Sequence, residues 1–157
     1  MILSNSLKKS SILIGPRSKN RWDLINEMLE MAVKNRDLKK EDQESVRRSL
    51  VEREKSMSTG IGKGVAIPHC TTEKVDDIII MLSTCESGID FDSVDNQPVR
   101  IIILLLVPKN KLTQHIKTLA NIAKLMNNDE LRNKVMTLKT PDSILKTIKK
   151  HEEIKKK

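Results

Sequence analysis

The sequence predicts a single α/β domain in which a mixed β-sheet lies between α-helices. Two apolar runs, residues 78–82 and 99–107, are rich in β-branched side chains and are interrupted only by Arg100. Such runs are typical of strands that are covered on both faces. In residues 22–33 and 112–126 the apolar side chains instead recur every three or four positions, as on one face of a helix. Strands that alternate with helices favour a layered domain with one sheet.

The length and the charge distribution indicate how the chain is organised. Its 157 residues fit one domain. We expect residues 1–150 to form this domain and residues 151–157 to be a basic, frayed C-terminal tail. Half of the net charge of +8 lies in residues 146–157, which contain six lysines and two glutamates. Because charge runs are usually solvated, this excess does not require a polyanionic partner.

Nucleic-acid binding is the function class that a basic protein first suggests. Single-strand binders stack bases on aromatic side chains, and this chain has only Trp22 and Phe91. None of the predicted helices shows a face suited to reading bases. We therefore expect no nucleic-acid partner. A non-catalytic binding or regulatory module, with nucleic acid as one candidate ligand, remains the alternative function, and strongly salt-dependent binding would support it.

Membrane insertion and secretion are not predicted. The longest apolar run, residues 101–107, is far shorter than the ~20 residues that span a bilayer. The first three residues are followed by polar side chains and lysines, so no basic segment leads into an apolar stretch. Cys70 and Cys85 are too few for a disulfide framework, and we expect two free thiols. These features favour a cytoplasmic protein.

In the first half of the chain, two helices are predicted before a glycine-rich segment. Ser18 is placed to cap the first helix, and residues 41–54 form the second. Residues 56–64 contain three glycines within five positions, which predicts a loop. A short strand follows and ends at Pro68, because proline has no amide to donate to a neighbouring strand. His69 is therefore expected at the end of a strand.

In the second half, residues 88–98 are rich in turn-forming side chains and leave room for one short strand. A helix is predicted over 111–126, with His115 in its first turn. A Thr-Pro pair at 140–141 predicts the start of a further helix, with proline at its first position.

The position of His69 suggests phosphate chemistry. A histidine that follows a strand and a glycine-rich segment lies where backbone amides can converge on an anion. Neutral imidazole is a competent nucleophile near pH 7, since its ordinary pKa is about 6.5. Arg53, at the C-terminal end of a helix, offers a planar fork of donors for phosphate oxygens. His115, near the positive end of a helix dipole, offers one more donor.

Taken singly, each of these residues is more often structural than functional, and two other sites compete with the phosphate hypothesis. A zinc site could use His69, Cys70, Cys85 and His115, but adjacent ligands at 69 and 70 lack the usual spacing. A nucleotide-binding loop could use the glycines and Lys63, but here the lysine is followed by Gly64, and the segment leads into a strand instead of a helix.

A family resemblance joins these residues. The Arg53-Glu54 pair and the run Ser-Thr-Gly-Ile-Gly-Lys-Gly-Val-Ala-Ile-Pro-His at 58–69 resemble the signature of enzyme IIA domains. Residues 88–94, 106–108 and 115–123 resemble the same family in order and spacing. The family is the mannitol/fructose type of the bacterial phosphoenolpyruvate-dependent sugar phosphotransferase system, which includes nitrogen-regulatory members.

The resemblance implies a phosphoryl carrier. His69 would accept phosphate from phosphohistidine on the carrier protein HPr, and Arg53 and His115 would support the phosphate. The acceptor would be a cysteine of a IIB domain, or the phosphorylation state would be a regulatory signal, as in nitrogen-type members. A freestanding chain without a fused IIB or IIC segment would favour the regulatory role slightly, although freestanding sugar-specific members also fit. We expect no cofactor and no metal. Cys70 and Lys63 depart from the common family pattern.

Overall fold

The computed structural model describes residues 3–155, with side chains described for residues 3–153. Six strands form one sheet, and helices cover both of its faces. Single-turn 3-10 helices at Lys40–Asp42 and Lys109–Lys111 precede the third and fourth α-helices. The elements, in chain order, are α1 Leu3–Ser6, β1 Leu7–Ile14, α2 Arg21–Lys34, α3 Gln43–Ser56, β2 Gly60–Gly62, β3 Val65–Ala66, β4 His69–Thr72, β5 Ile79–Ile89, β6 Val99–Pro108, α4 Leu112–Met126, α5 Asp129–Thr137 and α6 Pro141–Lys155.

The sheet is mixed, as predicted. Its strand order is β1-β5-β6-β3-β2, and β4 pairs with β6 beyond the end of β3. Strands β5 and β6 are antiparallel, whereas β1 runs parallel to β5, and β3 and β4 run parallel to β6. The two apolar runs of the sequence thus form the two central strands, and the α/β fold class is confirmed.

The central strand β6 explains why its sequence is continuously apolar. Alternate residues of a strand point to opposite faces, and here both faces are covered. One face packs on α2 and α3, and the other packs on α4, α5 and α6. Ile102, Leu104 and Leu106 lie in the first core, and Ile101, Ile103 and Leu105 lie in the second. Each such buried side chain contributes about 1.5–3 kcal/mol of transfer free energy.

The prediction of an unbroken loop over residues 56–64 is wrong in part. Gly60–Gly62 forms strand β2, which pairs antiparallel with β3. The two residues between these strands, Lys63 and Gly64, have φ of 58° and 79°. Two-residue hairpin turns favour this left-handed backbone because its twist matches that of the strands, and glycine adopts it without strain. The glycines therefore allow the tight hairpin that joins β2 to β3.

The prediction that His69 ends a strand is also corrected. Strand β3 stops at Ala66, but pairing with β6 resumes at His69, the first residue of β4. Pro68 lies between the two strands, and its carbonyl still accepts a hydrogen bond from the Leu105 amide at 2.9 Å. The missing proline amide thus interrupts the pairing along this side of β6 without ending it, and His69 follows the interruption.

Other boundaries shift by a few residues. The cap of α2 is Asn20 rather than Ser18, and its side chain accepts a hydrogen bond from the Asp23 amide. Strand β5 extends to Ile89, so the segment that follows it up to residue 98 contains no further strand among the described residues. No helix in the described range 3–155 is long and apolar enough to cross a membrane.

The division of the chain at residue 150 stays a prediction. Helix α6 continues through it to Lys155. The Glu152 carboxylate accepts hydrogen bonds from the amides of Leu3 and Ser4, at 2.7 and 3.0 Å. Residues 151–155 are thus helical, and one of their side chains is bonded to the first described turn of the chain.

Candidate phosphoryl site

An open depression of about 430 Å³ lies where α3, β4 and α4 meet. The three residues singled out from the sequence, Arg53, His69 and His115, come from these three elements and all contribute to its lining. The remaining lining residues are Ser49, Glu52, Cys70 and Thr71. The fold therefore brings together side chains that lie up to 62 positions apart in the sequence.

Strand β4 sets the exposure of His69 and of its neighbours. Its residues alternate, so that His69 and Thr71 are half-buried while Cys70 and Thr72 are buried. The Nδ1 atom of His69 lies 2.7 Å from the carbonyl oxygen of Ile67. Because a carbonyl can only accept, Nδ1 must carry the proton and donate it. In the neutral ring, Nε2 then holds the free lone pair.

His115 packs against His69 from the first turn of α4. The two ring centroids are 5.2 Å apart, and the ring planes are inclined at 77°, an edge-to-face arrangement. His115 is only 7% exposed. Its Nδ1 atom is buried and has no hydrogen-bond partner among the described residues. A buried polar atom without a partner is costly, and sites that bind ligands or carry out chemistry are common places for one.

Both imidazoles are held in the neutral form. Burial lowers the pKa of His69, and the positive charge of Arg53, joined in acid by that of protonated His115, lowers it further, against the opposing effect of the Ile67 carbonyl. Burial also lowers the pKa of His115, with Arg53 as the second cause. Near pH 7 both rings are therefore uncharged, which leaves His69 able to act as a nucleophile.

Arg53 lies in the last turn of α3 and is half-buried. Its Nη1 atom donates a hydrogen bond to the Met57 carbonyl at 2.7 Å. This bond holds the side chain against the C-terminal end of α3. No other hydrogen bond or ion pair of this guanidinium is found in residues 3–153. Its remaining donors are therefore available to an anion in the depression.

Cys70 is buried beside His69, and burial raises the pKa of its thiol to about 12. A thiol in this state is neither a good nucleophile nor a metal ligand near neutral pH. Within the described part of the chain, no group of three or more His, Cys, Asp or Glu side chains could hold a metal ion. The hairpin at residues 60–66 likewise leads into a strand and not into a helix, unlike a nucleotide-binding loop.

Reasoning from the sequence named Glu54 beside Arg53 in the family motif but gave it no role and did not predict its burial. The sequence feature that could have predicted its burial is its position relative to the apolar residues of α3. Val46 and Leu50 form the buried stripe of α3, and Glu54 follows at the same interval of four residues. An acidic side chain on the buried face of a helix needs a partner, and here the partner is Arg21 on α2.

One family matches most of the chain. A profile of the family described as "Phosphoenolpyruvate-dependent sugar phosphotransferase system, EIIA 2" matches residues 5–151. The chain is 35% identical to a nitrogen regulatory protein of Bradyrhizobium diazoefficiens, over 73% of this chain and 75% of that protein. It is 28% identical to the PTS system fructose-specific EIIABC component of Bacillus subtilis, over 97% of this chain but 24% of that protein.

Solved structures agree with these relatives. The crystal structure of the nitrogen regulatory protein IIA-Ntr from Neisseria meningitidis superposes with a TM-score of 0.84 at 27% identity, covering 93% of this chain and 98% of that one. A complex of the mannitol enzyme IIA with phosphorylated IIB from Escherichia coli has the same IIA fold, with a TM-score of 0.75 at 18% identity, covering 90% of this chain and 97% of that one.

Proposed function

This chain belongs to the EIIA 2 family of the phosphoenolpyruvate-dependent sugar phosphotransferase system, and we propose that it carries a phosphoryl group on Nε2 of His69. The family makes the chain a phosphotransferase component. The identity of the acceptor atom, the supporting residues and the partners are the proposal.

One observation supports the acceptor atom most strongly. Nδ1 of His69 donates to the Ile67 carbonyl, so the lone pair of the neutral ring is on Nε2. In the transfer step this lone pair forms a bond to phosphorus while the bond between phosphorus and the donor's nitrogen breaks. The donor ring leaves with the electron pair of that bond. Nδ1 of His69 keeps its proton, and the resulting positive charge on the ring is stabilised by the Ile67 carbonyl.

Arg53 and His115 are proposed to stabilise the transferred group. Phosphoryl transfer needs in-line positioning and charge stabilisation more than covalent assistance. The free donors of the Arg53 guanidinium suit the equatorial phosphate oxygens. The ring of His115 lies beside that of His69 and has a Nδ1 atom without a partner in the described structure. Phosphate can supply this missing partner.

The partners follow from the family. We propose that a phosphorylated HPr-type carrier is the donor and that the exchange takes place in the cytoplasm. Two fates are proposed for the phosphate. It passes to a cysteine of a IIB domain, as the enzyme IIA and IIB complex of the E. coli neighbour suggests. Alternatively, phosphorylation is itself a signal, as the nitrogen regulatory relatives suggest. A nucleic-acid-binding module is not favoured.

Labelling with phosphorylated HPr tests the proposal. The protein should take up one equivalent of phosphate in a bond that is labile in acid and stable in alkali, as expected for phosphorus bonded to nitrogen. Fragment mass spectrometry should place the phosphate on His69. A label on any other residue would overturn the assignment. Subsequent incubation with IIB domains distinguishes the two fates, because transport requires that the label leave the protein for a IIB cysteine.

A further inference from the structure

The buried carboxylate of Glu54 has no part in the proposed transfer step, yet it lies in α3, one of the elements that build the site, and directly follows Arg53. Glu54 is 2% exposed, in the last turn of α3. Its Oε1 atom accepts from Nη1 of Arg21 at 3.3 Å, and its Oε2 atom accepts from the amide of Thr59 at 3.0 Å. Both oxygens are thus bonded, one to α2 and the other to the chain that leaves α3.

Arg21 fixes this carboxylate to the rest of the fold. Its Nη1 atom also donates to the carbonyl of Phe91 at 2.8 Å, and its guanidinium lies 4.3 Å from the centre of the Trp22 ring. The hydroxyl of Ser58 donates to the same Phe91 carbonyl. The segment that leaves α3 is therefore held from two sides, through Ser58 and through Glu54.

A continuous series of hydrogen bonds leads from Glu54 to the acceptor histidine. The Thr59 amide is bonded to Glu54, and the Thr59 carbonyl accepts from the Ile67 amide at 3.0 Å. The Ile67 carbonyl then accepts from Nδ1 of His69 at 2.7 Å. The carbonyl that sets the tautomer of His69 thus belongs to Ile67, and the amide of Ile67 is linked through Thr59 to Glu54.

The Glu54 carboxylate also affects the position of Arg53. This residue precedes Glu54 in α3, and its Nη1 bond to the Met57 carbonyl closes the same helix end. A shift of the segment from Met57 to Thr59 would therefore move the position of the guanidinium and the position of the imidazole together. In-line transfer tolerates little misplacement, and an error of about 1 Å can cost a factor of about 100 in rate.

We propose that Glu54 and Arg21 are positioning residues of the phosphoryl site, which fix the His69 tautomer and the Arg53 guanidinium through the Thr59–Ile67 connection. This rests on the proposed function of His69 as the acceptor. Neither Glu54 nor Arg21 touches the phosphate in this proposal. Their contribution is to hold Nε2 unprotonated and at the right distance from the supporting arginine.

A second carboxylate provides the matched control. Glu27 on α2 is 10% exposed at its side chain and accepts from the amides of Arg17 and Ser18, at 3.1 and 3.0 Å. It also forms an ion pair with Arg17. Like Glu54 it fastens a chain connection to a helix, but it fastens the β1–α2 connection. Neither glutamate lines the depression, but Glu54 is adjacent in sequence to the lining residue Arg53, whereas no residue of α2 lines it.

The experiment compares Glu54→Gln, Arg21→Lys and Glu27→Gln in the full chain. The tautomer of His69 is read from the 15N shifts of its ring near pH 7.5, without any phosphoryl donor. Single-turnover transfer from phosphorylated HPr and urea unfolding are measured beside it. We expect Glu54→Gln to raise the fraction of rings protonated on Nε2 and to slow transfer by about 10–100-fold. Arg21→Lys, which keeps a cation beside Glu54, should change both in the same direction by less.

Glu27→Gln should leave the tautomer and the transfer rate unchanged, even where it lowers the free energy of unfolding as much as Glu54→Gln does. A wild-type tautomer and rate in Arg21→Lys and Glu54→Gln would overturn the proposal. Equal effects from Glu27→Gln would also overturn it, because they would indicate general destabilisation. Should Glu54→Gln not fold, Arg21→Lys still decides. Because the tautomer is observed without phosphate, failure of this proposal can be distinguished from failure of His69 to accept phosphate.

Discussion

The two histidines of the site have the same ring and the same direction of pKa shift, but the structure holds them differently. His69 begins a strand, is half-buried, and donates from Nδ1 to a backbone carbonyl. His115 lies in a helix, is 7% exposed, and has a buried Nδ1 without a partner in the described structure. The first ring has its tautomer fixed, and the second has an unsatisfied position.

This difference supports the roles that we propose for the two rings. A nucleophile must present a free lone pair at a defined nitrogen, which the Ile67 carbonyl provides for His69. A supporting group must gain a hydrogen bond when phosphate arrives, and an atom without a partner has one to gain. Burial and Arg53 lower the pKa of both rings, so the supporting role that we propose for His115 depends on a proton that it donates as a neutral ring.

The largest effect is expected from removal of the nucleophile. His69→Ala should abolish stable phosphorylation by phosphorylated HPr, because the chain then lacks the ring that accepts the phosphate in the proposed transfer step. The fold should survive, since His69 is half-buried and lies at the start of an edge segment. Circular dichroism and quantified labelling check this. Labelling at undiminished stoichiometry would show that the acceptor is elsewhere.

Removal of the supporting ring should slow transfer without abolishing it. We expect His115→Ala to reduce the single-turnover rate by about 10–10³-fold, the range for loss of one donor that stabilises charge. His115→Gln keeps an N–H donor in about the same place and should recover part of the rate. If His115→Ala transferred phosphate at the wild-type rate, His115 would have no supporting role in transfer to His69.

Arg53→Lys separates the charge of the arginine from its shape. Lysine keeps the positive charge but cannot bind two phosphate oxygens with a planar fork. We expect transfer to slow by about tenfold, while the urea midpoint changes little because Arg53 is only half-buried. If the Arg53→Lys variant kept the wild-type rate, positive charge alone would account for the contribution of this position.

Acid should destabilise the protein, because the pKa values of both rings are lowered in the folded state. Their pKa values in the folded state lie below the ordinary value of about 6.5, because burial disfavours the charged form. As pH falls through about 6.5, the unfolded chain takes up protons first, so the free energy of unfolding decreases until the lowered folded-state pKa values are passed. A His69→Gln, His115→Gln double variant should lose this part of the decrease between about pH 7.5 and 5.5. Urea unfolding at both pH values measures it.

The smallest effect is expected at the cysteines. Cys70 lines the depression, but burial raises its pKa to about 12, so its thiolate is not available near neutral pH. A Cys70→Ala, Cys85→Ser variant should therefore accept phosphate at a rate within about twofold of the wild type. Loss of labelling in a variant whose circular dichroism spectrum stays native would bring a thiol into the mechanism.

Much of the fold was accessible from the sequence because its central strands are so apolar. The runs at 78–82 and 99–107 predicted β5 and β6, and the helical spacing predicted α2, α3 and α4. The hairpin at Gly60–Gly62 was not predicted, since three glycines are compatible with a loop or a strand until a partner is known. The cap of α2 was misplaced by two residues because both Ser18 and Asn20 can cap a helix.

The candidate site shows where local information ends. The residues alone suggested His69, Arg53 and His115 as separate candidates, and the family resemblance joined them into one site. Tertiary structure decided the tautomer of His69, the burial of His115 and the pairing of Glu54 with Arg21, which are 33 residues apart. These properties depend on how α2, α3 and α4 pack around β4. Local propensity acts over a few residues, whereas desolvation and long-range hydrogen bonds exist only once distant segments are brought into contact.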